Sequence, residues 1–223
     1  MDLCRGRTSG KACRRALVGT IGARLRRVSG AGLLLAVALL GTARLVAAGD
    51  CPPTPPNPQG PFYLPDAPFV TALDRAEEPG ERIEIVGRVS KGPACKPVAG
   101  AVLDLWQASA EGYYYNLESA AAPADYLLRG RVRTDAEGRF RVRTVRPGPY
   151  RTGPRSWRPA HLHVKVSGPS LLPLTTQVYL PGDPHLARDA LVVPSLIGTL
   201  SPRPDGPATL HFDFVLLPAR EGY

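Results

Sequence analysis

Proline at 25 positions and glycine at 23 interrupt this 223-residue chain so often that a helical bundle is excluded. Proline inside a helix removes a hydrogen bond and clashes with the preceding turn, and glycine costs backbone entropy in helices and strands alike. No segment shows a convincing 3.6-residue apolar period. What recurs is short runs of β character bounded by Gly/Pro turns, which predicts an all-β chain forming a single β-sandwich or open barrel domain. The runs are Arg82–Val89, Ala101–Trp106, Leu162–Val166, Thr175–Leu180 and Thr209–Leu216. Arg129–Val145 reads as a hairpin turning at Asp135-Ala136-Glu137-Gly138, with Asp first and Gly last as a type I turn favours. Pro184–Val193 has room for a short helix, and the Pro-rich stretch 51–69 reads as an extended N-terminal arm.

The formal charge of +9 invites a nucleic-acid reading, but its distribution removes it. Residues 1–48 hold nine basic residues and one acidic, a net of +8, whereas 49–223 are close to neutral at +1. The leader reads R-L-R-R at Arg24–Arg27, then an uncharged Leu/Ala-rich stretch Val28–Ala43, then Val46-Ala47-Ala48. A basic segment, a short apolar run and a small-residue cleavage site describe an export signal over 1–48. The Arg26-Arg27 pair resembles a twin-arginine signal. The apolar run is 16 residues, short of the roughly 20 that span a bilayer, so no membrane anchor is expected after cleavage. The working domain is then 49–223, exported to the periplasm or beyond, with no nucleic-acid partner.

Cys4 and Cys13 fall in the leader, which leaves Cys51 and Cys95. Two cysteines in an exported chain most simply form one disulfide, here pinning the arm to the body and contributing ~4 kcal/mol in the chain-entropy model. No C-x-x-C is present, so zinc ribbons and thioredoxin-type motifs are excluded.

The strongest chemical signal is Arg158-Pro159-Ala160-His161-Leu162-His163. On a strand, residues two apart share a face, so His161 and His163 present two imidazoles side by side while Leu162 packs the other way. Two of the chain's four histidines sit in this pair, and histidine is the commonest metal ligand. A ferrous two-His-one-carboxylate site would want an acid four or five residues on, where Ser167 and Gly168 stand. A zinc site would need a third His or a Cys, and His185 and His211 lie in unrelated segments. Tyrosine is what the sequence supplies: Tyr150 closes Arg146-Pro147-Gly148-Pro149-Tyr150, and Tyr113, Tyr114 and Tyr115 follow Gly112. Phenolate is a hard anionic donor suited to a ferric ion. From the residues alone, any of the three adjacent tyrosines can serve.

With these segments in order, the body resembles the intradiol ring-cleavage dioxygenases, the family of protocatechuate 3,4-dioxygenase and catechol 1,2-dioxygenase. The resemblance rests on G-P-F-Y (60–63), P-V-A-G-A-V-L-D-L-W-Q-A-S-A-E-G-Y-Y (97–114), L-R-G-R-V-R-T-D-A-E-G-R-F (128–140), T-V-R-P-G-P-Y (144–150), R-P-A-H-L-H (158–163) and L-T-T-Q-V-Y-L-P-G-D (174–183). It implies a non-haem Fe(III) held by Tyr114, Tyr150, His161 and His163, with O2 as co-substrate and a small aromatic diol as substrate. It implies that Arg158 stabilises negative charge on the substrate, that Gln177 orients it by hydrogen bonds, and that Tyr150 acts as a base. The implied product is a muconate-type diacid, and a homo-oligomer is compatible with the family. Trp106 reads as core, Asp104 as a turn or strand-end partner, and Tyr126 as core or pocket wall. The competing class is an exported, non-catalytic ligand-binding module on the same sandwich.

Overall fold

The computed structural model describes residues 51–115 and 126–219. The expected export signal over 1–48 lies outside the described residues. Twelve strands follow in order: β1 (Arg82–Lys91), β2 (Lys96–Pro97), β3 (Val102–Gln107), β4 (Arg129–Arg133), β5 (Arg139–Val145), β6 (Tyr150–Gly153), β7 (Ser156–Arg158), β8 (His161–Ser167), β9 (Leu174–Tyr179), β10 (Thr199–Arg203), β11 (Gly206–His211) and β12 (Phe214–Leu216). Two 3-10 turns, Leu186–Arg188 and Pro194–Leu196, are the only helical elements among the described residues. One open sheet runs β10-β11-β1-β12 and adds β2 and β5 to β1; the other runs β4-β3-β8-β9; β6 and β7 form a separate ribbon. The expected all-β sandwich is therefore the observed fold.

The alternation seen in the sequence sorts side chains between the layers. Ile83 and Ile85 of β1 and Phe140 and Val142 of β5 share one apolar core with Leu103 and Leu105 of β3, Val132 of β4, Leu162, Val164 and Val166 of β8, and Val178 of β9. Burying each such side chain contributes about 1.5–3 kcal/mol. Gln107 bridges the sheets: Thr144 Oγ1 donates to its Oε1 at 3.1 Å and its Nε2 donates to the Val145 carbonyl at 2.9 Å.

The hairpin expected over Arg129–Val145 is corrected. Its turn forms, with the Gly138 amide on the Asp135 carbonyl at 3.0 Å. Its arms, however, enter different sheets, β4 pairing with β3 and β5 with β1. The turn is a corner of the sandwich. Thr134 sets it by donating to the Val98 carbonyl at 2.6 Å and accepting from the Ala101 amide at 2.9 Å, which commits the end of β4 to its own layer. Alternation reports which face is buried, not which strand is the neighbour. The single run expected over Thr209–Leu216 is two strands, and β2, β6, β7 and β10 were not expected. Asp104 is also corrected: it sits inside β3 and accepts from the Tyr63 hydroxyl at 2.9 Å.

The other face of the second sheet is polar and equally buried. Arg129, Trp106, His163 and Gln177 stand in register across β4, β3, β8 and β9, and registered neighbours project to one side. None is more than 2% exposed. The arm covers this row. Gln177 Nε2 donates to the Pro58 carbonyl at 2.7 Å, Gly60 lies against the His163 ring, and the Tyr63 ring packs 4.9 Å from Trp106. The Cys51–Cys95 disulfide forms as expected and anchors the arm, aided by the Thr54 amide on the Val215 carbonyl and the Asn57 amide on the Thr175 carbonyl, both at 3.0 Å.

Candidate active site

Two glycines bring the tyrosine-bearing loops together. A Cβ on Gly112, whose φ is +84°, would lie 2.4 Å from the Pro149 carbonyl oxygen, and one on Gly148 would lie 2.1 Å from the Ala110 oxygen. Only bare Cα atoms permit this approach. The Gly148 amide donates to the Ser109 carbonyl at 2.9 Å, and the Ser109 hydroxyl accepts from the Glu111 and Tyr113 amides, each at 3.2 Å. The rings of Tyr114 and Tyr150 consequently meet edge-on with centroids 5.6 Å apart. Phe62 of the arm stacks on Tyr114 at 4.1 Å.

The paired histidines come from β8. Their Nε2 atoms are 3.1 Å apart, and His161 Nδ1 lies 2.6 Å from the Pro159 carbonyl. A carbonyl can only accept, so the proton sits on Nδ1 and the Nε2 lone pair of His161 faces inward. Trp106 stacks parallel on the His163 ring at 4.9 Å and fixes its plane, so this residue shapes the site as well as the core. Tyr150 is 5.7 Å from His161 and Tyr114 is 6.5 Å from His163, measured between ring centroids. The four side chains surround one point.

Burial tunes all four. It lowers the His161 pKa to about 4, with the Arg158 charge adding to the effect. It lowers His163 to about 2, with His161 and then Arg158 contributing. Both imidazoles are therefore neutral, the state that binds a metal. Burial raises Tyr114 strongly, with Tyr150 adding to the shift, and raises Tyr150 less, with Arg158 and then Tyr114 opposing it there. The Tyr114 hydroxyl and His163 Nδ1 are buried without a hydrogen-bond partner.

Arg158 ends β7 directly across from Tyr150. Its Nε donates to Asp189 at 2.5 Å, and its Nη2 donates to Gln177 Oε1 at 2.5 Å and to the Tyr179 hydroxyl at 3.3 Å. Burial alone would lower its pKa, but Asp189 and Tyr150 outweigh that and raise it, so it is a permanent cation. Both ends of the Gln177 amide are engaged, since Tyr179 also donates to Oε1 at 3.0 Å. Sequence reasoning missed Asp189 and Tyr179. Tyr179 carried a usable signal, being two residues from Gln177 on the same strand; Asp189 lies in an irregular loop and carried none.

The competing residues lie elsewhere. Tyr113 is 66% exposed, the Tyr115 hydroxyl reaches Glu78 at 3.3 Å, and the Tyr126 hydroxyl donates to the Pro65 carbonyl at 2.8 Å. His185 stacks on Trp157 at 5.0 Å, and His211 is 3.5 Å from Asp213. Among the described residues no three His, Cys, Asp or Glu side chains gather, and the aromatic rings beside His161 and His163 include Tyr114 and Tyr150.

The chain that gathers two phenols, two imidazoles and a fixed guanidinium on a β-sandwich is similar in sequence and fold to one group of known proteins. A family model described as "Dioxygenase" matches residues 59–218. Chlorocatechol 1,2-dioxygenase of Rhodococcus opacus is 38% identical over 151 residues, 59% of this chain and 58% of that protein. The protocatechuate 3,4-dioxygenase beta chain of Burkholderia cepacia is 43% identical over 126 residues, 54% of this chain and 53% of its own. The chain thus spans a little over half the length of these curated relatives. Among solved structures, the dioxygenase domain of a dioxygenase–carbohydrate-binding fusion from Streptomyces sp. SirexAA-E is 38% identical. It covers 75% of this chain and 100% of that one, with a TM-score of 0.65. 3-Chlorocatechol 1,2-dioxygenase from Rhodococcus opacus 1CP is 31% identical, covering 74% and 73%, with a TM-score of 0.67. The chain belongs to the intradiol ring-cleavage dioxygenase family.

Proposed function

We propose that this chain is a non-haem Fe(III)-dependent dioxygenase that inserts both atoms of O2 into a catechol-type ring. Cleavage between the two hydroxylated carbons gives a muconate-type diacid. The observation that carries the reading is the convergence of Tyr114, Tyr150, His161 and His163 at one buried point. The donor set fits a ferric ion: two neutral imidazoles face each other through Nε2, and the Tyr114 oxygen is buried without a partner. These four residues would hold the metal. Bound Fe(III) would supply the Lewis acidity that makes an aromatic diol reactive towards O2.

The remaining work falls to the chain. Tyr150, beside the Arg158 cation, would be deprotonated when it holds the metal, and its phenolate Oη is the group that would take a substrate proton. Arg158 provides fixed positive charge where the diol oxygens accumulate negative charge. Asp189, Gln177 and Tyr179 hold the guanidinium in place, and the engagement of Gln177 at both ends supports a part for it in positioning Arg158 beside the expected one of orienting substrate. The arm, with Phe62 on Tyr114 and Gly60 on His163, excludes water from the donor atoms. The reading includes export, supported by the disulfide, which forms in oxidising compartments.

Purified protein loaded with iron tests this directly. It should show a visible phenolate-to-Fe(III) charge-transfer band and convert catechol and O2 to a ring-opened diacid. A colourless protein that takes up no iron and leaves a panel of catechols unchanged overturns the reading in favour of a non-catalytic module.

A further inference from the structure

The ribbon β6–β7 is paired to neither sheet, yet it carries Tyr150 and Arg158 facing each other at its base. A two-stranded ribbon is at best marginally stable in water, so its place depends on side-chain contacts with the body. Successive residues of a strand project to opposite sides, and in β7 the partners of Trp157 and Arg158 differ accordingly. Arg158 reaches Asp189, Gln177 and Tyr179. The Trp157 ring lies against His185, with centroids 5.0 Å apart and planes within 7° of parallel. The Arg151 guanidinium, directly across the ribbon, sits 5.3 Å from the same indole.

His185 and Asp189 belong to one short loop. They flank the 3-10 turn Leu186–Arg188, which the Arg188 amide closes on the His185 carbonyl at 3.0 Å. The two ends of a single turn therefore hold adjacent residues of β7. The loop is fixed on either side of this grip. One carboxylate oxygen of Asp183 accepts from the His185 amide at 2.8 Å and the other from the Ala160 amide at 2.9 Å, between Arg158 and His161. Beyond the turn, Asp189 accepts from the Leu191 amide at 2.9 Å, and Asn57 Nδ2 of the arm donates to the Leu191 carbonyl at 2.8 Å. Asp189 is thus delivered to Arg158 by a loop whose other hold on the ribbon is the ring of His185.

We propose that His185 and Trp157 are positioning residues: their stack clamps the Asp189 loop onto the β6–β7 ribbon and so holds Arg158 in place for the substrate. The inference rests on the dioxygenase reading above. Neither ring touches the donor set; both act through Asp189 and Arg158.

The test compares the iron-loaded and metal-free parent with His185→Ala, His185→Phe and Trp157→Leu. An aromatic pair biases a docked state by about 3- to 10-fold, so His185→Ala should lower kcat for catechol by that factor with little change in KM. The charge-transfer band should stay, since Tyr150 is held separately against Phe62, Tyr114 and His161. His185→Phe keeps a flat ring and should restore most of kcat. In an Asp189→Asn background His185→Ala should cost little more, because the two act as one unit. In the metal-free protein, His185→Ala should speed amide hydrogen exchange over 150–158 and 184–191 while β3 and β8 keep their protection. Trp157→Leu breaks the same stack from the ribbon and stands in if His185→Ala does not fold. An unchanged kcat or unchanged exchange in a folded variant overturns the inference and leaves the dioxygenase reading standing. A kcat loss that multiplies in full with that of Asp189→Asn also overturns it and assigns the stack to packing alone. A parent with neither band nor turnover overturns both.

Discussion

The two faces of the sheet β4-β3-β8-β9 are equally buried and chemically opposite. On one, Leu103, Leu105, Leu162, Val164 and Val178 pack against the facing sheet. On the other, Arg129, Trp106, His163 and Gln177 lie beneath an arm of irregular backbone. Strand β8 carries both in alternation, so adjacent residues answer to different demands. The apolar face stabilises the domain by burial. The polar face carries the desolvation cost of groups left partly unsatisfied, among them Arg129 Nε and Nη2, Trp106 Nε1 and His163 Nδ1. Burial alone therefore does not identify a core; the satisfaction of the buried groups separates the two faces.

Substitutions on the two faces should separate function from stability. The largest effect is expected on the polar face: His163→Ala should abolish iron uptake, the charge-transfer band and catechol cleavage, and Tyr114→Phe should weaken and shift the band, leaving the Tyr150 contribution, and abolish cleavage, each with little loss in the urea midpoint. Leu162→Ala, one residue away on the apolar face, should do the reverse, costing about 2–5 kcal/mol in denaturant titrations while the folded fraction keeps its colour. Cys95→Ser should lower stability by ~4 kcal/mol or less, measured the same way with and without reductant. Asp189→Asn leaves the donors intact but loosens Arg158, and a 10- to 100-fold fall in kcat with retained colour is expected.

A smaller effect should appear in the pH dependence of the metal-free protein. The His161 pKa is lowered from 6.5 to about 4, so below pH 6.5 the unfolded chain binds the proton that the folded chain refuses. The stability present above pH 6.5 is lost as pH falls through about 4, and urea midpoints across pH 7 to 4 should decline. A His161→Gln, His163→Gln double variant should flatten that decline. Tyr113→Phe should change nothing measurable, since its side chain is largely in solvent.

Much of this division was legible before the structure. The i, i+2 rule placed His161 and His163 on one face with Leu162 opposite, and the alternation of β5 marked Phe140 and Val142 as core. What remained hidden depended on contacts distant in sequence. Nothing local distinguishes the corner at Asp135–Gly138 from a hairpin, because the outcome is set by Thr134 gripping the segment Val98–Ala101. The choice among Tyr113, Tyr114 and Tyr115 could not come from strand alternation, since the segment is not a strand; the contact of Gly112 with Pro149 aims Tyr114 inward. Arg129 looked like one arginine in an alternating run until its unpartnered nitrogens were seen on the buried face.

The disulfide at the head of the arm has a consequence for access. Cys51 is fixed to Cys95, and Phe69 is bridged to Arg131. The segment between them is thus a loop with two fixed ends rather than a tail that can peel away. Between those ends it is also held at Thr54, Asn57 and Pro58, and the tether keeps Pro58, Gly60 and Phe62 at high effective concentration above their partners. Six prolines between Cys51 and Pro65 further restrict the backbone of this strap, so its hold on the buried face is built into its covalent structure as well as its contacts.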